Sequence, residues 1–244
     1  MIKERKEIMT SLFKEAFGFK ETRCTIISNK ESAIQTAIES IKKNRKTLEE
    51  YVELNPIFFR TLEPIPVPSA PLVVKLMAEA AEKADVGPMA AVAGVLADLA
   101  VKDMTATRCD FAVVENGGEI SAFSNSPVDV AVAAGDEPLS KRFGFRLTDF
   151  PCGVATSSGR FSHALSFGDA EAAVVFCKNA GLADAAATAV CNMVKGQNCQ
   201  VAIRAGIDKA LSISGVEGVL ILYKGSVGTG GQIPQIIKVN SCVT

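Results

Sequence analysis

The sequence predicts an α+β layered fold, and three observations predict it. Short apolar runs of strand character come in clusters. Long Ala-rich apolar segments of helical character lie between those clusters. No internal repeat or low-complexity tract interrupts the series. Strands and helices segregated in this way bury their apolar faces in layers. The 244 residues suit one large domain or two small ones. A single domain over 1–244 is expected, with a joint between two subdomains near 62–71.

The elements follow in order. Two apolar stretches, around Phe13–Phe17 and Cys24–Ser28, read as a hairpin. Residues 31–53 read as a helix, with Ile34, Ala37, Ile38, Ile41, Leu48 and Val52 on one apolar face and Pro56 beyond its end. Its basic run Lys42-Lys43-Asn44-Arg45-Lys46 reads as a solvated face, with phosphate binding as the alternative. The four prolines of 62–71 make a rigid, extended connector. Helices are expected at 71–83 and 88–103, and the second is apolar all round, which predicts burial. Strands are expected at 109–115, 119–123, 128–134, 141–147 and 170–177, helices at 181–195 and 199–211, then strands at 216–223 and 235–239. The intervening Gly225–Gly231 segment is neither a Walker A loop nor a Rossmann fingerprint, and reads as a flexible loop, a candidate flap over a site.

Charge and cysteine usage exclude several classes. With 26 Lys+Arg against 27 Asp+Glu, the chain lacks the basic excess of a nucleic-acid binder and any polybasic case for membranes. The single His rules out a His-rich zinc site. The charged N-terminus shows no apolar signal core, and no window is long and apolar enough for a membrane span. The expected location is therefore cytoplasmic. Seven cysteines without a Cys-x-x-Cys pair read as thiols, mostly small buried hydrophobes. The apolar helices suit a homo-oligomer interface as readily as a monomer core.

Four places carry chemistry. Asp98 is the only charge between Pro88 and Val101, and Asp184 the only one between Asn179 and Val194. A carboxylate on an apolar helix is costly unless paired, hydrogen-bonded or bound to a metal; bonding to loop amides is the structural alternative. Thr188, Cys191 and Asn192 follow Asp184 at spacings that put them on one face. Carboxylate plus hydroxyl is an oxygen-only set suited to Mg²⁺ or Ca²⁺. Asn116-Gly117-Gly118-Glu119 reads as a tight hairpin turn whose glycines would let a ligand approach the backbone. Thr156-Ser157-Ser158-Gly159-Arg160 reads as an anion cradle, with backbone N–H groups and Arg160 as phosphate donors. Cys152 abuts that cradle, and His163 lies three residues beyond it; these two are the catalytic candidates.

In that order, Gly94-Val95-Leu96-Ala97-Asp98, Asn116-Gly117-Gly118-Glu119, Ala155-Thr156-Ser157-Ser158-Gly159 and Ala183-Asp184-Ala185-Ala186-Ala187-Thr188 resemble the ApbE superfamily of FAD:protein FMN transferases. The match is closer to an ApbE-like branch of archaea and anaerobic bacteria, through Val86–Gly94 and His163–Gly168. The resemblance implies a layered fold of antiparallel sheets packed with long buried helices. It implies Asp184 and Thr188 as Mg²⁺ ligands with a main-chain carbonyl, Thr156 and Ser157 near a nucleotide pyrophosphate, and Asn116, Gly117 and Gly118 beside FAD or FMN. Three positions depart from the transferases. Ala93 replaces a Lys, Glu119 replaces an Asp, and no Asp-Pro follows His163. Losing a cation that neutralises phosphates argues against FMN transfer.

The first reading is therefore a protein binding a flavin or another phosphate-bearing nucleotide with Mg²⁺. A second is a thiol-based sulfide or persulfide protein of anaerobic sulfur assimilation, with Cys152 as the nucleophile. A third is a non-catalytic scaffold.

Overall fold

The computed structural model describes residues 11–131, 143–159 and 168–238. The chain opens with the hairpin β1 (Phe13–Phe19) and β2 (Thr22–Ser28). Helix α1 (Glu31–Leu54), the short α2 (Pro56–Arg60) and α3 (Leu72–Ala84) follow. A 3₁₀ turn, Pro88–Ala91, leads directly into α4 (Val92–Ala106). The strands β3 (Phe111–Asn116), β4 (Glu119–Ser124), β5 (Val128–Ala131), β6 (Phe143–Leu147), β7 (Cys152–Ser157) and β8 (Ala172–Cys177) come next. Helices α5 (Ala180–Met193) and α6 (Cys199–Ser212) precede β9 (Val216–Tyr223), β10 (Ser226–Gly231) and β11 (Gln235–Lys238).

Eight strands form one antiparallel sheet in the order β1-β2-β3-β4-β7-β8-β9-β10, and β11-β6-β5 form a second. Strand alternation sorts the side chains of the large sheet onto two faces. Ala155, Ala173, Val175, Cys177, Val219, Ile221 and Tyr223 pack against α3, α4, α5 and α6. Val113, Ala122, Val154, Val174, Phe176 and Leu220 pack against Val128, Val130, Phe145 and Leu147 of the small sheet. Phe145 meets Phe176 edge to face at 4.7 Å between ring centroids. The result is three layers: helices, large sheet, small sheet. The α+β expectation holds. No helix among the described residues is long and apolar enough to cross a membrane.

Two segments differ from their sequence expectation. Cys152–Ser157 is an interior strand of the large sheet rather than a loop, paired with β4 and β8. Gly225–Gly231 is not a flap: from Ser226 it is a strand in continuous register with β9. Gly228 and Gly230 turn their missing side chains toward Ile203 and Ile207, so α6 sits directly on the strand. The proline connector lies against the helical core through Ile65, Val67 and Ala70. On α1, Arg45 is bound by Glu21 and Glu49, and Lys46 by Glu50, which fits the solvated-face reading of the basic run.

Candidate functional site

The site grows from the crossing of α4 and α5. The backbones meet at Gly94, where a Cβ would overlap the carbonyl of Ala180. Four residues beyond each contact point stands an aspartate, and the two helices exchange them. The Asp98 carboxylate of α4 accepts from the N–H of Ala180 (2.9 Å) and of Gly181 (2.8 Å) at the start of α5. Ser121 on β4 completes its shell at 2.7 Å. In return, Oδ2 of Asp184 on α5 accepts from the N–H of Gly94 at 3.0 Å, with the neighbouring Ala93 amide contributing. The orphan amides of each helix start are thereby met by an acid of the other helix, and the positive end of each helix dipole faces a negative charge.

Burial opposes ionisation at both. It pushes Asp98 above the usual carboxylate range, against the pull of its three donors. It pushes Asp184 up to about 7, against the Gly94 and Ala93 amides, with the Asp98 charge adding.

The β3–β4 turn closes over the same helix start. Gly117 and Gly118 both have positive φ, 73° and 120°, which a two-residue hairpin turn requires and an L side chain resists. Asn116 donates from Nδ2 to the carbonyl of Ala93 at 3.0 Å. The N–H of Gly118 is taken by the Glu115 carboxylate at 2.8 Å, and that of Gly117 by the carbonyl of Arg23. The next residue, Glu119, is held well above the ordinary carboxylate range by burial and then by the Asp184 charge. Ala93 and Gly94 thus carry Asn116 on one side and Asp184 on the other, with Glu119 in electrostatic reach. Among the described residues no Lys or Arg forms an ion pair with Asp184 or Glu119.

Along α5 the residues that reach solvent are Asp184, Thr188 and Asn192, then Met193. This is the expected i, i+4, i+8 strip. Cys191 does not share it: the residue is fully buried in the helical core. The oxygen atoms of Asp184 and Thr188 form a hard donor pair, and Glu119 is a further carboxylate beside it. No group of three or more His, Cys, Asp or Glu side chains suited to a metal occurs among the described residues.

The expected anion cradle is built differently. In β7, Thr156 follows Cys152 and Val154 onto the small-sheet face, whereas Ser157 follows Gly153 and Ala155 toward α5. Thr156 and Asp184 therefore belong to opposite sides of the large sheet. Ser157 and Ser158 are buried, and the N–H of Gly159 bonds to the carbonyl of Ala170 at 3.1 Å. The segment is committed to the sheet through Ser157, and Gly159 is tied back to Ala170, so these amides do not form an open nest. Gly159 packs on Gly168, and Gly168 on the carbonyl of Cys191, which brings this strand end to the C-terminal half of α5. Arg160 and His163 lie outside the described residues, as does Cys242.

Cys152 does not have the environment expected of a nucleophile. It is buried between the sheets, and burial, followed by the Glu217 charge, pushes its thiol up to about 12. Cys24 and Cys177 are pushed equally high, again chiefly by burial. A thiol in that range is almost wholly protonated near neutrality and reacts slowly. The residue that sequence reasoning passed over is Glu119. Its signal was present, a single acid at the exit of a glycine turn, but only the fold shows that the turn ends at Asp184.

The comparisons agree with this architecture. A family model described as "AbpE bacteria" matches residues 16–213. A UPF0280 protein of Methanocaldococcus jannaschii is 37% identical over 95% of this chain and 96% of its own length. A UPF0280 protein of Methanococcus maripaludis is 39% identical over 93% of both chains. Among solved structures, the flavinyl transferase ApbE of Pseudomonas stutzeri superposes with a TM-score of 0.57 at 12% identity, covering 90% of this chain and 93% of that one. The ApbE protein of Thermotoga maritima gives 0.57 at 14% identity, covering 90% and 97%. With a family model spanning most of its length and full-length relatives well above 30% identity, the chain belongs to the ApbE-like family, in the branch of the archaeal UPF0280 proteins.

Proposed function

We propose that the chain binds a flavin or another phosphate-bearing nucleotide together with Mg²⁺, at the junction of the Asn116–Glu119 turn, the start of α4 and the Asp184–Thr188 strip. The observation that carries this reading is the state of Asp184. It is a carboxyl raised to about 7, beside the raised carboxyl of Glu119, without a cationic side chain paired to either among the described residues and next to the solvent-reaching hydroxyl of Thr188. Such a place favours a bound cation over two ionised acids. The oxygen-only donor set suits Mg²⁺, which completes its shell with waters and substrate phosphates.

When bound, the ion would neutralise phosphate oxygens and polarise them. Asp184 and Thr188 would hold it, with Glu119 as the third oxygen source. The Gly117–Gly118 backbone would line the approach, since no Cβ stands there. The flavin part of the reading comes from the transferases with which the fold is shared. Ala93 stands where those proteins carry Lys, and here it serves the site through its backbone alone, holding Asn116 and Asp184. Transfer of FMN to protein is accordingly not part of this proposal.

The test is calorimetric titration and thermal shift with FAD, FMN and ADP, each with and without Mg²⁺. The expected result is stabilisation by at least one of them that needs Mg²⁺ and is lost in Asp184→Asn. No response to any of the six conditions would leave a scaffold without ligand as the better account.

A further inference from the structure

The large sheet has two edges among the described residues, β1 and β10, and their chemistry differs. β1 carries Lys14 and Glu15 within its span. Charges along an edge disfavour pairing with another strand. β10 reads Ser226-Val227-Gly228-Thr229-Gly230-Gly231, with no charge and no proline, in unbroken register with β9 along all six residues. Among the described residues no strand pairs with its far side, and another extended backbone would meet the row of N–H and C=O groups there in full.

The surroundings of this edge mix apolar and polar side chains. A groove of about 510 Å³ runs between α6 and β10, lined by Gln200, Ile203, Arg204, Ile207, Ser226 and Val227. Leu211, which lies against Gly230 and Gly231, and Val227 are 49% and 52% exposed.

We propose that β10 pairs antiparallel with β10 of a second copy of the chain, joining two large sheets about a two-fold axis. Self-pairing requires a strand to fit its own reverse. Centred on Gly228, so that opposed residues share a face of the joined sheet, the pairing sets Gly228 against its own copy, Val227 against Thr229 and Ser226 against Gly230. On the α6 face every pair then contains a glycine, so the strands approach without a clash, and on the open face Val227 and Thr229 make a β-branched cross-strand pair. A net charge of −1 puts little repulsion between copies, and the edge itself adds none. The α6 helices of the two copies flank the seam, where Leu211 gains cover.

The test is sedimentation velocity over a micromolar concentration series, with hydrogen exchange followed at 226–231. A dimer is expected, with protection of these amides rising with concentration. Val227→Lys combined with Thr229→Lys places charges on side chains that already face solvent. This variant should keep the wild-type circular dichroism and weaken association at least about tenfold. Ile57→Lys with Phe59→Lys, at the exposed apolar helix α2, should leave association unchanged. A monomer at every concentration, a dimer that survives the β10 lysines, one lost with the α2 lysines, or protection at 226–231 independent of concentration would each overturn the proposal.

Discussion

Asp98 and Asp184 occupy the two ends of one reciprocal arrangement, yet the ends are not alike. Each aspartate sits four residues past the helix contact, and each faces the first amides of the opposite helix. At the Asp98 end the shell is closed by two backbone amides and the Ser121 hydroxyl. At the Asp184 end the amides of Ala93 and Gly94 are the donors, Glu119 adds a second acid instead of a hydroxyl, and the strip through Thr188 opens to solvent. The lesson is that a lone acid on an apolar helix is not a site by itself. A carboxylate with its acceptor capacity used up holds a fold together, whereas one left in an acidic, solvent-reaching corner is available to a ligand.

The sharpest way to break the comparison is to push the helices apart, because both ends depend on one contact. Gly94→Val places its side chain on the Ala180 carbonyl. Overpacking of this kind costs about 3 kcal/mol or more when backbone must move, which for a chain of this size is roughly a 6–12 °C drop in Tm. Thermal unfolding followed by circular dichroism measures it. A melt within experimental error of wild type would mean that the helices do not cross so closely.

The next largest effect belongs to the closed end. Asp98→Ala strips partners from Ser121, Ala180 and Gly181, and a buried donor left unmet costs about 1–3 kcal/mol. Some relaxation and water entry are expected, so the loss should be about 2–4 kcal/mol in chemical denaturation. Asp98→Asn, which keeps an acceptor oxygen, should lose less. If Asp98→Ala is as stable as wild type but no longer responds to Mg²⁺, the roles of the two ends are reversed.

The sequence made the outline of this comparison legible and hid its ends. Both acids stand out because an apolar helix has one charge in it, and the face shared by Asp184, Thr188 and Asn192 follows from helical spacing alone. What spacing does not carry is which amides lie opposite. The exchange between α4 and α5 joins residues more than 80 positions apart, and the approach of Glu119 depends on the same packing. Composition misled at two strands for a common reason. Ser, Thr and Gly signal loops when considered locally, but in β7 and β10 the small residues are there because a helix lies on the strand. Gly153 sits beneath the first turn of α5, and Gly228 and Gly230 beneath α6. Tertiary packing overrides propensity at such positions. Cys152 went wrong in the same place: next to a loop it would have been accessible, and inside a strand it is core.

The open end should respond weakly in stability and strongly in ligand binding. Asp184→Asn keeps the shape and an acceptor for the Gly94 amide, so its cost should stay within about 1 kcal/mol. Stabilisation by Mg²⁺ should be lost in this variant and reduced in Thr188→Val. Differential scanning fluorimetry across a Mg²⁺ series separates the two effects. A variant that melts far below wild type while still binding Mg²⁺ would make Asp184 a second Asp98.

The subtlest effect is in pH, and its sign is the same at both ends, because burial raises both carboxyls. The Asp184 carboxyl titrates near 7 in the folded chain, above its ordinary value of 3.8. Between those two values the folded protein keeps a proton that the unfolded chain has released. Unfolding then releases protons, so stability without a cation falls as pH rises from about 4 toward 7 and levels off above it. The contribution is fully present below the unfolded value and is gone once pH has passed the folded one. Glu119, also raised, slopes the same way, so Asp184→Asn should remove part of the fall and Asp184→Asn with Glu119→Gln more of it. Mg²⁺ binds the ionised form, hence its stabilising effect should be small at acid pH and grow as pH passes 7. Urea midpoints measured at several pH values, with and without Mg²⁺, for wild type and both variants decide this. A wild-type midpoint that rises relative to Asp184→Asn as pH climbs would show the acid to be ionised and satisfied by its helix amides, as a structural carboxylate is.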